Sequence, residues 1–220
     1  MKHRVVLGFA AALGLLVAAT FVVPSRTSVA PIAIETSVIR SSDLLEKAWS
    51  LPVASAFDKR VTWQSNGSRC GPASLANSFR SIGEDETTEA DVLSGTGTCW
   101  TGYCIMGLTL DELAELARKK TSHQVTVLRN LTAEQFREHM THANDPDRRY
   151  IINFDRRTIF GAGAGHHSPV AGYLEAEDLV FVLDVNEQFK PWLIERDRLF
   201  AAMDTLDGDS KRGLLQIGGP

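Results

Sequence analysis

The sequence predicts an α+β fold, with helices first and an antiparallel sheet second. Three observations carry this. Between residues 42 and 142 apolar residues recur mainly at helical spacing behind recognisable caps. After the polar stretch "NDPDRR" the pattern turns to short apolar runs separated by Gly-rich or polar turns, as in strands. The two patterns do not alternate as strand–helix units would in a doubly wound parallel sheet. The chain has 220 residues, 44% of them hydrophobic, enough for one well-buried core but not for two full-sized domains. No internal repeat is present.

The first element is not part of this fold. Lys2, His3 and Arg4 precede an uncharged, apolar or small stretch from Val5 to Val23, which reads as an export signal. A cleaved signal usually has an apolar core of roughly 7–15 residues, whereas about 18 or more can span a bilayer. "SVA" at Ser28 to Ala30 has the small-x-small form of a cleavage site, followed by Pro31. Cleavage and anchoring therefore both remain open. Either way the positive end stays in the cytoplasm and the domain faces outward, in the periplasm or tethered at its membrane. We divide the chain into 1–30 (signal peptide or anchor), 31–40 (linker) and 41–220 (the folded domain).

Ser42-Asp43 can cap a short helix through Trp49, and 51–69 reads as irregular or extended. Pro72 to Ser81 reads as a helix: Pro suits a first turn, Ala73, Ala76 and Phe79 with Leu75 form the stripe, and Gly83 ends it. Residues 84–107 read as a loop with one short helix around Glu89–Leu93. Thr109 and Glu112 have capping-box spacing at the head of a helix to Lys120, striped by Leu110, Leu113, Ala114 and Ala117. Val125–Leu128 is a short strand. Thr132 and Gln135 cap a helix reaching about His142, with Leu131 and Phe136 as a hydrophobic staple. Tyr150–Phe154, Ser168–Leu174, Leu179–Val185 and Trp192–Ile194 read as strands, Asp197–Met203 as a last helix, and the remainder as a Gly-rich tail.

The formal net charge is −4 and no long basic block occurs, so nucleic acid is not an expected partner; contact with a membrane is expected only through the N-terminal segment. The three cysteines are Cys70, Cys99 and Cys104. In an exported protein an odd count leaves one thiol free or paired between chains. Cys99 and Cys104 share the Gly/Thr-rich stretch "GTGTCWTGYCIMG", where a short disulfide can form in an oxidising compartment. The alternative is three reduced, structural thiols. These two cysteines with the adjacent pair His166-His167 could bind a soft metal, but the spacing is not that of a structural zinc site.

Cys70 lies in "SNGSRCGPASLANSFRSIG", at the entrance to the Pro72 helix. Free N–H groups and the dipole at a helix start favour a thiolate, and the thiolate is the nucleophile. Gly71 leaves room for a backbone or substrate to approach. A thiol nucleophile needs a base, and "GAGAGHHSPVAGY" offers His166 and His167 at the entry to a strand. Neighbouring strand residues point to opposite faces, so one of the two is expected to face Cys70. The base needs an orienting partner, for which Asp184 in "VFVLDVNEQF" and then Asn186 are candidates. A nucleophile on a helix with its partners on a later sheet is the papain arrangement. The Cys70 backbone N–H and the side chain of Gln64, just upstream, are candidate oxyanion donors; Gln64 could equally be a surface polar residue.

"RCGPASLANSFRSIG", "GAGAGHHSPVAGY" and "VLDVNEQFKPW" resemble three blocks of the phytochelatin synthase family, (Y/F)CGxASLxxxLNxL, GxGHxSPxxxY and (V/I)LDVxxxKxPxxW. Arg69 stands where that pattern has an aromatic residue. The resemblance covers about residues 50–200 and implies a papain-like cysteine enzyme acting on glutathione, with no cofactor required. It makes Cys70 the nucleophile, His166 rather than His167 the base, Asp184 its orienter and Gln64 the oxyanion donor. Gly71 and Gly165 would border the substrate, and Arg156 would clamp the γ-glutamyl carboxylate. Cadmium or zinc would enter as a metal–glutathione substrate or as an activator, and a homodimer is compatible. The chain resembles the short bacterial form of the family, for which hydrolysis to γ-Glu-Cys and glycine is expected to dominate over transfer to a second glutathione. Two other readings stand beside this one: a papain-like leader-peptide peptidase, and a non-catalytic thiol- or metal-binding protein of the cell envelope.

Overall fold

The computed structural model describes residues 28–104 and 107–219. The apolar stretch at 5–23, and with it the choice between signal and anchor, lies outside the described residues. Nine helices and eight strands are described. The helices are α1 (Pro31–Ser37), α2 (Ser42–Trp49), α3 (Pro52–Ser55), α4 (Cys70–Ser81), α5 (Glu89–Leu93), α6 (Leu110–Arg118), α7 (Ala133–His142), α8 (Arg156–Phe160) and α9 (Arg196–Met203). The strands are β1 (Val125–Leu128), β2 (Arg148–Asp155), β3 (Gly165–Leu174), β4 (Leu179–Val182), β5 (Trp192–Glu195), β6 (Leu206–Asp207), β7 (Ser210–Lys211) and β8 (Leu214–Gly218).

Six strands form one antiparallel sheet in the order β1-β8-β2-β3-β4-β5, and β6–β7 make a separate hairpin. The alternation of strand residues divides the core between the two faces. Ile151, Leu215 and Ile217 pack with Leu75, Phe79 and Leu113 from α4 and α6. Ala171, Phe181 and Leu193 continue that side under Ala48, Val53 and Phe57 from the α2–α3 region. On the other face Tyr150, Ile152, Phe154 and Trp192 meet Phe136 and Met140 of α7 and Leu199 of α9. Helices thus cover both faces, and β3, β4 and β8 are buried along their length except for Gly165 at the head of β3.

The capping boxes at Thr109–Glu112 and Thr132–Gln135 form as the spacing predicts, with a third at Thr88–Asp91. Four expectations need correction. Residues 31–40 are not an unstructured linker. Pro31 opens α1, Ile34 and Val38 bury their side chains in the core, and Ile39 bridges to Leu193. A run this short has too few apolar positions to show a period. The helix after "SNGSR" starts at Cys70, two residues before Pro72. Strand β4 ends at Val182, so Asp184 follows the strand. The Gly-rich tail contains β8, which lies between β1 and β2 with every residue buried. Its polar Gln216 and its flanking glycines conceal that strand in the sequence.

Candidate active site

Cys70 is the first residue of α4, where backbone N–H groups lack intrahelical acceptors. The loop before it is tied down by Glu89, whose carboxylate accepts from the Ser65 backbone N–H (2.9 Å) and hydroxyl (2.6 Å) and pairs with Arg69 at 3.3 Å. Gly71 sits in a tight packing position: a Cβ there would stand 3.0 Å from Leu113 Cδ1, which would have to shift by a few tenths of an ångström. Its buried position holds α4 against α6 and gives no sign of a substrate passage.

Strand β3 brings both histidines to the thiol. In the pairing with β2, His166 lies opposite Phe154 and His167 opposite Asn153. His167 Nδ1 is 3.8 Å from Cys70 Sγ, and Ser74 of α4 donates to the His167 carbonyl at 3.0 Å. His166 Nε2 is 3.0 Å from Asp184 Oδ1. Burial pushes the Cys70 thiol up, but His166 and then His167 outweigh it and hold the thiol well below its ordinary value. The direct contact with the thiol is made by His167, where the family pattern leads one to expect His166; His166 acts on the thiol chiefly through its charge. The pair sits at the start of β3, immediately after Gly165, where the first turns of α4 pack against the strand.

Asp184 is completely buried and fully partnered. It accepts from Arg156 Nη2 on both oxygens (2.6 and 2.8 Å), from the Asn186 backbone N–H at 2.9 Å and from Trp192 Nε1 at 3.3 Å. Burial alone would raise its pKa; Arg156 and then His166 depress it below the ordinary carboxylate range. For His166, burial and Arg156 act downward, and Asp184 with the Cys70 thiolate more than offset them, so its pKa is raised. These directions favour a thiolate–imidazolium pair backed by an ionised carboxylate.

Arg156 differs from its expected place. Its guanidinium is committed to Asp184 and lies 3.7 Å over the Phe189 ring, and it does not line the cavity at Cys70. It positions Asp184. The Asn186 side chain accepts from the Gln188 backbone N–H at 3.0 Å, and among the described residues it makes no hydrogen bond to His166. Gln64 Nε2 donates to the Asn66 carbonyl at 3.0 Å, leaving one amide hydrogen uncommitted, and its Oε1 is buried without a partner.

A cavity of about 270 Å³ opens over Cys70 and His167. It is also lined by three residues the sequence reading did not single out: Asn153, Asp207 and Arg212. Arg212 is buried, donates to Asn153 Oδ1 at 2.7 Å and pairs with Asp207 Oδ2 at 3.3 Å. Its Nε is left without a partner. Gly165 makes this possible, because a Cβ there would stand 2.8 Å from Arg212 Cζ. Asp207 and Arg212 come from the stretch read as a Gly-rich tail. A signal was present: "LDGDSKRG" has the Asp-Gly form of a tight hairpin turn.

Cys99 and Cys104 form a disulfide, and Cys70 is the free cysteine. The disulfide loop backs the nucleophile loop: the Cys104 N–H donates to Ser68 Oγ at 3.1 Å and Asn66 Nδ2 to the Gly102 carbonyl at 3.3 Å. Among the described residues no group of three or more His, Cys, Asp or Glu is placed to hold a metal ion.

The fold and the site define a papain-like protein with a cysteine–histidine–aspartate constellation. The peptidase domain of Streptococcus ComA, a bi-functional ABC transporter involved in quorum sensing, superposes with a TM-score of 0.51 at 16% identity, over 74% of this chain and 99% of that one. A C39-like peptidase from Bacillus anthracis gives 0.51 at 11% identity, over 74% and 96%. These similarities concern the fold. The family model described as phytochelatin synthase matches residues 25–214, and the chain belongs to that family. It is 31% identical over 106 residues to glutathione gamma-glutamylcysteinyltransferase 3 of Lotus japonicus, covering 47% of this chain and 22% of that protein. Against glutathione gamma-glutamylcysteinyltransferase 2 of Arabidopsis thaliana it is 29% identical over 93 residues, 40% of this chain and 21% of that one. The matched segments thus span about a fifth of the length of these curated relatives.

Proposed function

We propose that this chain is a thiol acyl-transfer enzyme that removes glycine from glutathione. Cys70 Sγ attacks the Cys–Gly carbonyl carbon, and the developing oxyanion is met by the Cys70 backbone N–H and the free amide hydrogen of Gln64. The C–N bond breaks as His166, held by Asp184, gives its proton to the leaving glycine amine. A γ-Glu-Cys thioester remains on Cys70. Water resolves it to γ-Glu-Cys with its proton passing to His166; a second glutathione, attacking through its amine, would give (γ-Glu-Cys)2-Gly.

The observation that carries the substrate assignment is the paired charge in the cavity that holds the nucleophile. A γ-glutamyl group ends in an α-carboxylate and an α-ammonium. Arg212 and Asp207 present a guanidinium and a carboxylate in the same cavity as Cys70, suited to that pair of charges. Family membership supports the same substrate. The Cys99–Cys104 disulfide supports export to an oxidising compartment, and the N-terminal apolar stretch supports the same placement.

The test incubates the purified protein with millimolar glutathione, with and without cadmium, and reads products by mass spectrometry. Release of glycine with γ-Glu-Cys supports the reading; any (γ-Glu-Cys)2-Gly measures how far transfer competes with water, and a cadmium requirement shows that the metal enters as metal–glutathione substrate or as activator. Cleavage of unrelated peptides with glutathione untouched would replace it by the peptidase reading. Arg212→Ala is expected to raise KM for glutathione by about 10–100-fold, the loss of a charge-assisted contact of roughly 1.5–3 kcal/mol. Gly165→Ala should act in the same direction by displacing the guanidinium. Initial rates against glutathione concentration check both.

A further inference from the structure

The family pattern GxGHxSP leaves open the position after the histidine, and here that position is a second histidine. We propose that His167 is a second catalytic imidazole, sharing with His166 the proton released by the Cys70 thiol. The inference rests on Cys70 being the nucleophile and not on the identity of the substrate.

The geometry supports this at three points. His167 Nδ1 faces Sγ at 3.8 Å, within range of a sulfur hydrogen bond. Its ring is buried, yet Nε2 has no hydrogen-bond partner, an arrangement that a purely structural histidine would avoid. It lines the substrate cavity, where His166 is not among the lining residues. The His166 ring is held from behind by Asp184, whereas the His167 ring meets Cys70 Sγ and has no carboxylate behind it. The charged or titratable groups around His167 are Cys70 from α4, Arg212 and Asp207 lining the same cavity, and His166 beside it with Asp184 behind.

The step is a proton transfer only. The S–H bond of Cys70 breaks, its electron pair stays on sulfur, and the proton resides on His166 or on His167 Nδ1. With two acceptors the thiolate persists at lower pH than one imidazole would allow. Protonated, His167 is a cavity-lining acid beside the thioester carbonyl; once it has given up that proton, the neutral ring is an additional acceptor for the proton of the attacking water or amine.

Alkylation of Cys70 by iodoacetamide tests this without glutathione, and the disulfide leaves Cys70 as the reporting thiol. Rates are measured from pH 5 to pH 10 on the wild type and on His167→Gln, which retains a hydrogen-bonding amide but cannot take a proton. The expected result is a rise of about one unit in the apparent thiol pKa. Alkylation near pH 6 then falls about tenfold while the rate at pH 10 is unchanged. A His167→Gln profile superimposed on the wild type would overturn the proposal. Should His167→Gln fail to fold, histidine NMR titration of the wild type before and after Cys70 alkylation decides: two imidazoles must change their titration, and a change in one alone overturns it. A failed glutathione assay with a shifted alkylation profile would reject the substrate and keep the second imidazole.

Discussion

Replacing Cys70 by alanine is expected to reduce glycine release from glutathione by about 10⁴-fold or more, to the background of the uncatalysed reaction. Loss of a covalent nucleophile removes the thioester route entirely, and single knockouts of such groups cost as much as removing the whole constellation. The fold should survive. Cys70 sits among small neighbours, Ala73 and Val185, and alanine is a good helix residue at a first turn. A further consequence separates nucleophile from bystander. Without the thiolate, His166 loses one of the two charges that raise its pKa, so its titration should move down in Cys70→Ala. Activity assays, thermal melts and histidine NMR on the one variant check all three statements. Substantial residual turnover in a folded Cys70→Ala protein would remove the cysteine from the chemistry.

Asp184→Asn is expected to have the largest combined effect on activity and stability. The new side-chain amide would be able to donate to His166 and favour the wrong tautomer, an effect of about 10⁴-fold in the serine-protease triad. It would also leave the Arg156 guanidinium buried opposite a neutral amide. Breaking a buried pair in this way costs roughly 3–5 kcal/mol. The pH dependence has a definite sign. Asp184 has a depressed folded pKa, so its contribution is present above the unfolded carboxylate value of about 3.9 and is lost as pH falls through the folded value. Urea melts of wild type and Asp184→Asn should therefore differ from neutral pH to about pH 4, the gap widening as pH falls through the His166 titration because Asp184 also raises that pKa, and should converge only below about pH 4. A gap that closes already between pH 7 and pH 5 would show that Asp184 is not the ionised, buried partner described.

The sequence made part of this site legible and hid the rest for identifiable reasons. Cys70 was readable because a cysteine at a proline-containing helix entrance has few structural uses, and α4 does begin there. His166 and Asp184 were readable as a strand-entry histidine and an aspartate stranded among Val and Leu, and the structure brings them to 3.0 Å. The partner of that aspartate was not readable. Arg156 falls where a clamp for substrate was expected, but its direction depends on α8, a single turn capped by Asp155 with no apolar period of its own. Arg212 and Asp207 were missed because a two-residue hairpin and a five-residue central strand carry almost no periodic signal. Their positions follow from tertiary pairing: β8 inserts beside β2 and brings Arg212 to Asn153. The same limit applies to α1, whose burial depends on the sheet it covers.

The central claim is that Cys70 carries the γ-Glu-Cys group as a thioester. The most direct measurement mixes the purified protein with glutathione, quenches in acid within the first turnovers, and maps the digested chain by mass spectrometry. The account predicts a γ-Glu-Cys adduct confined to the peptide that contains Cys70, sensitive to hydroxylamine and accompanied by one equivalent of free glycine. Free glycine without any adduct at Cys70, or an unmodified Cys70 with glutathione recovered intact, would contradict it.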